Sequence, residues 1–460
     1  MKGAITQEER YTQMMNEPVE TLIPKMAVPT IISMLVTSIY NMADTFFVSK
    51  LGTSASGAVG IIFSLMAIIQ ALAFMIGMGT GNNIARLLGQ QKKEAAERYA
   101  AVGWITEFAV GVILAAVCLF ALEPLVILLG ATETIAPYAM DYAKYILYAA
   151  PFMMCSFGMN NMLRFQGNAF YAMLGITSGG ILNMILDPIL IFGFDMGIAG
   201  AAIATGFSQF VSFLILLMQC NFNPSCIPIK LSGFRPSTKI YMNIIRSGIP
   251  SLTRQGISSI AVIILNHASH PYGDAAIAAV SIVNRFMNFL NSAVIGFGQG
   301  FQPVAGFNFG AGNYDRVLKA FRFCIKVATA VLLVFAVISF IFADPIIALF
   351  RKEDLEVMRI GSVTLRLQSV TLPLLGYITM CNMFTQTIGY GFRSSIISLL
   401  RQGICLIPVL FIFPGIFGLF GIEVSQTVAD VLSFVIAGFI VRGIVRELEE
   451  KAEDKIKIRT

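Results

Sequence analysis

The sequence predicts an all-α integral membrane protein: twelve transmembrane helices in two pseudo-symmetric six-helix lobes. Three observations carry that expectation. The 460 residues are 56% hydrophobic and only 13% charged, against about 25% charged in a typical soluble domain. Apolar stretches near the roughly 20 residues needed to cross a bilayer recur along the whole chain. Finally, residues 29–100 align with 250–321 without a gap, at a constant offset of 221.

Identities in that alignment number only about a dozen, but they fall where the backbone is constrained. Pro29 meets Pro250, Gly52 meets Gly273, Gly77 and Gly79 meet Gly298 and Gly300, and Gly89 meets Gly310. Ala58-Val59 meets Ala279-Val280. Proline and glycine dictate local conformation, so shared spacing argues that both halves build the same structure. A duplicated, strongly apolar bundle is the pattern of a secondary transporter.

The first six spans are expected near 22–46, 57–81, 99–121, 138–160, 171–194 and 199–219. The second six follow near 245–269, 277–303, 321–343, 360–388, 395–415 and 423–442. The chain thus divides into an amino-terminal segment (1–21), a first lobe (22–219), a linker (220–244), a second lobe (245–442) and a tail (443–460). Six is even, so both halves enter from one side and are related by an axis along the membrane normal. Continuous rather than alternating apolar runs exclude a β-barrel.

Lys and Arg set the orientation. Lys92, Lys93, Arg98, Arg164, Lys230, Arg235, Lys239, Arg316, Lys319, Arg322 and Arg393 share one side with the basic carboxyl terminus. The other side holds little beyond Lys50, Arg351 and Lys352. That bias places both termini in the cytoplasm of a multi-pass protein of the inner membrane. The net charge of +6 then reflects topology; no basic stripe with interleaved aromatics suggests nucleic acid.

The first twenty residues mix acids and bases and read as no cleaved signal. Five of the seven cysteines lie inside spans, and Cys220 and Cys226 flank the central loop, so neither a disulfide framework nor zinc is expected. The 220–243 stretch, with Pro224, Pro228, Gly233 and Pro236, is the long polar break between lobes. The tail reads as a solvated charged helix end. Pro29, Pro151, Pro188, Pro250, Pro303, Pro373 and Pro408 fall within spans, where each can kink a helix or merely punctuate packing.

Two acids stand out. An aspartate at the bilayer centre costs about 2.5–3.5 kcal/mol on the insertion scale, and intramembrane acids are functional by default. Asp187, in ILNMILDPILI, is flanked by apolar residues for more than a turn on both sides. Asn183 is four residues earlier on the same face, and Pro188 frees the carbonyl of Met184. Carboxylate, amide and carbonyl make an oxygen-rich pocket for a proton or a small hard cation. Asp44, in SIYNMADTFFV, sits nearer a span end, with Tyr40 one turn before it and placed to hydrogen-bond it. Thr205 and Gln209 are one turn apart in GAAIATGFSQF; they are ligands or ordinary helix–helix hydrogen bonds. A desolvated Asp187 suits proton loading and release near neutral pH, and the same oxygens suit sodium with the acid ionised. The sequence leaves both open.

At the 221 offset Asp44 meets Leu265, Asn183 meets Ile404 and Asp187 meets Pro408. The scaffold is duplicated and the carboxylates are not, which assigns ion coupling to the first lobe. In the second lobe Arg401 and Asp430 are candidates for a structural pair. His267 and His270, beside Pro271, are expected to be solvated in an outer loop.

No GxxxxGK[ST] loop, HExxH motif or Ser/His/Asp arrangement is present, so neither direct ATP use nor enzymatic catalysis is expected. GMGTG (77–81) lies within an apolar span and reads as close helix packing.

At these residues the chain resembles the multidrug and toxic compound extrusion (MATE) family, and within it the bacterial multidrug subgroup. The resemblance covers nearly the whole chain. It rests on YNMADTFFVSKLG (40–52), NNMLRFQGN (160–168), ILNMILDPILIFG (181–193), GIAGAAIATGFSQ (197–209) and GFGQGFQPVAGFNFGAGNY (296–314). It implies two six-helix lobes around a central cavity, of the MATE/MOP type. It further implies export of organic cations or amphipathic compounds by antiport with protons or sodium, and hence antibiotic resistance. Carried over residue by residue, the first-lobe cation site maps to Asp44, Asn183, Asp187 and Thr205, with Tyr40 and Asn160 as further members; Gln209 adds to the polar cavity. Many relatives also couple through acids in the second lobe; here Arg254, Leu265, Asn284 and Arg285 stand instead. No cofactor beyond the coupling ion is implied, and a monomer in contact with membrane lipid is expected.

The 23 Met and 37 Phe residues suit a polyspecific cavity, although lipid-facing Phe and core Met account for most. The nearest rival is a flippase for a lipid-linked sugar precursor, which would want a cationic cavity; the buried acids argue against it.

Overall fold

The computed structural model describes residues 5–350 and 354–459. Arg351 and Lys352, assigned above to the far-side loop, lie outside the described residues. Twelve long helices follow in order. In the first lobe they are α1 (Val19–Ser49), α2 (Thr53–Gly89), α3 (Lys93–Phe120), α4 (Ala136–Phe165), α5 (Ala169–Pro188) and α6 (Gly197–Phe222). In the second they are α7 (Thr238–Ser269), α8 (Asp274–Gly310), α9 (Tyr314–Ile341), α10 (Leu355–Thr387), α11 (Gly391–Leu399, resuming at Leu406–Phe417) and α12 (Leu419–Arg459). Short helices at Leu122–Leu128 and Ala343–Ala348 follow α3 and α9.

The duplication is carried in the backbone. α2 and α8 begin and end at the shared offset, and so do α3 and α9. Each long second helix is preceded by a glycine at positive φ, Gly52 (114°) and Gly273 (87°), a conformation that disfavours any side chain. From α4 onward the register shifts by one, so that α5 starts at Ala169 and α11 at Gly391. Asn183 and Asp187 therefore correspond to Cys405 and Val409, not to Ile404 and Pro408 as the ungapped offset gives. Neither partner is an acid.

The helices outrun the expected spans because α2 and α8, at 37 residues each, are about 55 Å long, beyond a hydrocarbon core of roughly 30 Å. Ten of the twelve are long and apolar enough to cross a membrane; α4 and α10 are not among them. These two sit at matching places in the halves. α4 packs against α2, α3, α5 and α6, and α10 against α8, α9, α11 and α12. A helix enclosed by protein can carry polar residues that a lipid-facing one cannot.

The lobes meet through α1 against α8, α2 against α7, and α2 against α8. The close contacts lie on the side of the bundle that carries both termini. A Cβ on Gly79 would sit 2.1 Å from the Ile244 carbonyl oxygen. Thr30 donates to the Gly296 carbonyl at 2.6 Å, and Arg86 to the Ser247 hydroxyl at 3.0 Å. Among the described residues, Ser38 to Ser292 (3.3 Å) is the interlobe hydrogen bond nearest the far side. The terminal side is closed, and among the described residues no interlobe hydrogen bond lies nearer the far side than this one.

Both terminal segments pack on the bundle. The amino-terminal stretch forms a helix, Gln7–Asn16, capped by Thr6 and Glu9. It bridges the lobes: Arg10 donates to Asn168 of the first, and Asn308 of the second donates to the Met14 carbonyl. The tail is not simply solvated, because α12 continues through it with Ile444, Leu448 and Ala452 buried one turn apart. Lys455 donates to the carbonyls of Ala311 and Gly312. Tyr390 donates to Glu447 at 2.6 Å, and Lys451 and Tyr390 together hold that carboxyl below its usual range. The interlobe linker is tied to the first lobe, where the Ile227 amide donates to Gln166 at 2.7 Å. All seven cysteines are free.

Candidate functional site

The first-lobe site begins with a glycine. α1 and α5 run side by side in the same direction, and a Cβ on Gly180 would lie 3.2 Å from the Tyr40 ring. That close approach sets the far ends of both helices at one level. Asn183 is one turn beyond Gly180, and Asp187 one turn beyond Asn183, on the same face. After Pro188 the helix widens into a π turn, Ile189–Gly193, a form enriched at functional sites.

Asn183 holds the cluster together. Its amide nitrogen donates to Asp187 Oδ1 at 3.1 Å and to Thr205 Oγ1, reaching in from α6, at 3.2 Å. All three residues are buried, Asp187 completely. Asp187 Oδ2 and Asn183 Oδ1 have no hydrogen-bond partner. Buried acceptors without donors are costly, and a bound proton or small monovalent cation would satisfy them. Among the described residues no group of three His, Cys, Asp or Glu side chains comes together to hold a metal.

Asp44 lies on α1 one turn beyond Tyr40. It does not bond Tyr40, as the one-turn spacing suggests; it accepts instead from Tyr142 of α4, at 3.4 Å. Tyr40 is committed to packing over Gly180. Asp44 Oδ1 is buried and unpartnered, as is Gln209 Oε1. Asn160 does not join this cluster: its amide donates to the Ala172 carbonyl at 2.9 Å and ties α4 to α5. Its counterpart in the shifted register of the second lobe, Asn382, donates to the Ser394 carbonyl at the same distance. The role of Asn160 is thus part of the repeated scaffold.

Two residues escape the sequence reading. Tyr142 has no local signal, being one of several tyrosines in AMDYAKYILYAA; only the fold brings it to Asp44. Glu107 has a signal: like Asp187 it lies in an apolar run, WITEFAV. It is fully buried on α3, with both carboxylate oxygens unpartnered. It is wedged against α4, where a Cβ on Gly158 would fall 1.6 Å from Oε2. Nearby, the buried Arg164 donates to Asn161 at 2.5 Å.

In the second lobe Arg401 Nε and Asp430 Oδ1 pair at 2.8 Å. Asp430 also accepts from Gln426 (2.8 Å) and Thr371 (3.2 Å), so this acid is fully engaged. His267 and His270 are exposed beside the α7–α8 connection.

With this geometry in hand, three comparisons bear on the chain. The MatE family model matches twice, over residues 29–189 and 250–412, in step with the two lobes. The Multidrug export protein MepA of Staphylococcus saprophyticus subsp. saprophyticus is 29% identical over 422 residues, covering 90% of this chain and 92% of that protein. Among solved structures, an outward-facing multidrug resistance MATE family transporter of the MOP superfamily superposes with a TM-score of 0.89 at 28% identity, covering 95% of this chain and 98% of the other. A MATE crystallised with MaL6 gives 0.91 at 28% identity, with 95% and 99% covered.

Proposed function

The chain belongs to the MatE family, and from that premise we propose that it is a secondary active multidrug efflux antiporter. It exports organic cations or amphipathic compounds in exchange for protons or sodium, with the coupling ion held in the first lobe. The observation that carries this reading is the Asp187–Asn183–Thr205 cluster. It is buried, it contains unpartnered oxygens, and the equivalent second-lobe positions of its acid and amide hold Val409 and Cys405.

The cycle follows from differential affinity. A ligand shifts a two-state equilibrium only as far as it binds one state better. With the terminal side closed, an ion arriving from the far side meets Asp187, Asn183 and Asp44. Satisfying their oxygens stabilises the compact first lobe and favours rearrangement of the lobes to open the terminal side. There the ion leaves and cargo enters. The Lys and Arg distribution makes the terminal side cytoplasmic, so cargo moves outward across the inner membrane. The protein works as a monomer with no cofactor beyond the coupling ion.

The test is efflux of a fluorescent organic cation from proteoliposomes under separately imposed proton and sodium gradients. Gradient-driven efflux that Asp187→Asn abolishes is expected. Unchanged pumping by that variant under every gradient overturns the coupling site. Scrambling of lipid-linked sugar without dye efflux would instead support a flippase.

A further inference from the structure

The second lobe contains a cavity of about 120 Å³, comparable to one that admits a benzene-sized group. Its walls come from α7, α8, α10, α11 and α12, near the mid-length of the lobe. Two guanidinium groups, Arg254 and Arg401, line it together with amides that include Asn284, Asn288 and Asn291. Among the described residues no carboxylate lines it.

The two arginines differ. Arg401 is neutralised by Asp430. Arg254 makes one side-chain hydrogen bond, from Nη1 to Asn382 Oδ1 at 3.1 Å, and no ion pair with a described residue. A guanidinium carries five donors in a planar fork suited to a carboxylate. An uncompensated cation in a membrane interior is expensive, and such residues mark ligand paths. Aliphatic side chains of Leu265, Ile295 and Leu375 complete the walls, so the cavity sets apolar surface beside a guanidinium.

We propose that this cavity binds the carboxylate end of an amphipathic compound, with Arg254 as its counter-charge. Asp44 of the first lobe and Arg254 of the second are both partly exposed, so a molecule in contact with both lobes can meet an acid on one and Arg254 on the other. A zwitterionic amphiphile matches both. As a statement about the cargo the inference rests on the export reading.

Equilibrium binding to the purified protein separates the two. The probes are rhodamine B, which has a free aromatic carboxylate, and its ethyl ester, which keeps the cationic ring system. The parent is expected to prefer rhodamine B by about tenfold or more, the scale of one charge-assisted hydrogen bond. Arg254→Gln should remove that preference while leaving ester affinity intact, and Arg254→Lys should keep part of it. Should Arg254→Gln fail to fold, Asn288→Asp, which adds a carboxylate to the cavity rim, should reverse the preference. Equal affinities in the parent overturn the proposal, as does a preference that survives Arg254→Gln or Asn288→Asp. Because no gradient is used, a protein that shows the preference yet does not pump refutes only the export reading.

Discussion

Gly89 and Gly310, equivalent positions of the two halves, close one contact from opposite sides. A Cβ on Gly89 would sit 2.0 Å from the carbonyl oxygen of Phe307, and a Cβ on Gly310 would sit 2.0 Å from that of Arg86. Phe307 and Arg86 are equivalent in the same alignment, so the contact is reciprocal about the pseudo-two-fold axis. The glycines permit backbone-to-backbone approach at the terminal ends of α2 and α8, where the lobes are sealed. The obstruction is a carbonyl, which cannot rotate away as a side chain can.

Valine at Gly310 should therefore open the seal. Forced overpacking costs about 1–3 kcal/mol, enough to shift a two-state population by about tenfold. The reporter is a disulfide between Asn83→Cys and Ser247→Cys on the terminal side, whose parent side chains are 3.4 Å apart. Oxidation should cross-link this pair and stop transport until reductant is added. Adding Gly310→Val should cut the cross-linking yield several-fold; an unchanged yield would show that the seal tolerates the side chain.

Asn183→Ala should cost more than Thr205→Val. The alanine leaves both Asp187 Oδ1 and Thr205 without their shared donor, a loss of about 1–3 kcal/mol. The valine removes one acceptor from a donor that keeps Asp187. Thermal unfolding of both singles and the double variant gives the coupling, and the double should fall well short of the sum.

For Arg401 and Asp430, removing one partner should be worse than removing both. Asp430→Asn leaves the part-buried Arg401 guanidinium uncompensated, at less than the roughly 3–5 kcal/mol of a fully buried pair, whereas replacing both members with apolar residues of similar volume is often neutral. Arg401→Met with Asp430→Leu should unfold at a higher temperature than Asp430→Asn alone. The reverse order would mean that the pair is not isolated from other charges.

Glu107 and Gly158 should compensate each other. Gly158→Ala places a methyl on Glu107 Oε2 and should destabilise by about 1–3 kcal/mol. Glu107→Ala removes the obstructing carboxylate and leaves a void. Combined, the added methyl fills part of the vacated space, so the double variant should be more stable in a melting experiment than Glu107→Ala alone. Additive losses would place the carboxylate elsewhere.

Much of the site is readable in the sequence because the bilayer sets a harsh filter. Asp187 stands out because an acid in an apolar run is so costly, and Asn183 follows from helical spacing alone. Glu107 satisfies the same criterion, as a buried acid in the apolar run WITEFAV. Tyr142 and Thr205 differ in kind. Their contacts with Asp44 and Asn183 span 98 and 22 residues of sequence, and no local pattern encodes which helices become neighbours. Asn160 is a different case. Resemblance assigns it to the site, and its amide serves the α4–α5 junction that Asn382 repeats.

By itself, the sequence determined the helical membrane architecture, the duplication and the inequality of the two halves. Those properties follow from apolar length, from glycine and proline spacing and from residue type, all of which are local along the chain. Tertiary structure alone decided that Tyr142 rather than Tyr40 meets Asp44, that α4 and α10 lie inside their lobes, and that the terminal side is the closed one. It also decided that Arg254 faces a cavity in which no described residue pairs with it as a counter-ion. Each of these depends on which helix faces pack together. Packing is a relation between distant segments, and it exists only once the chain has closed on itself.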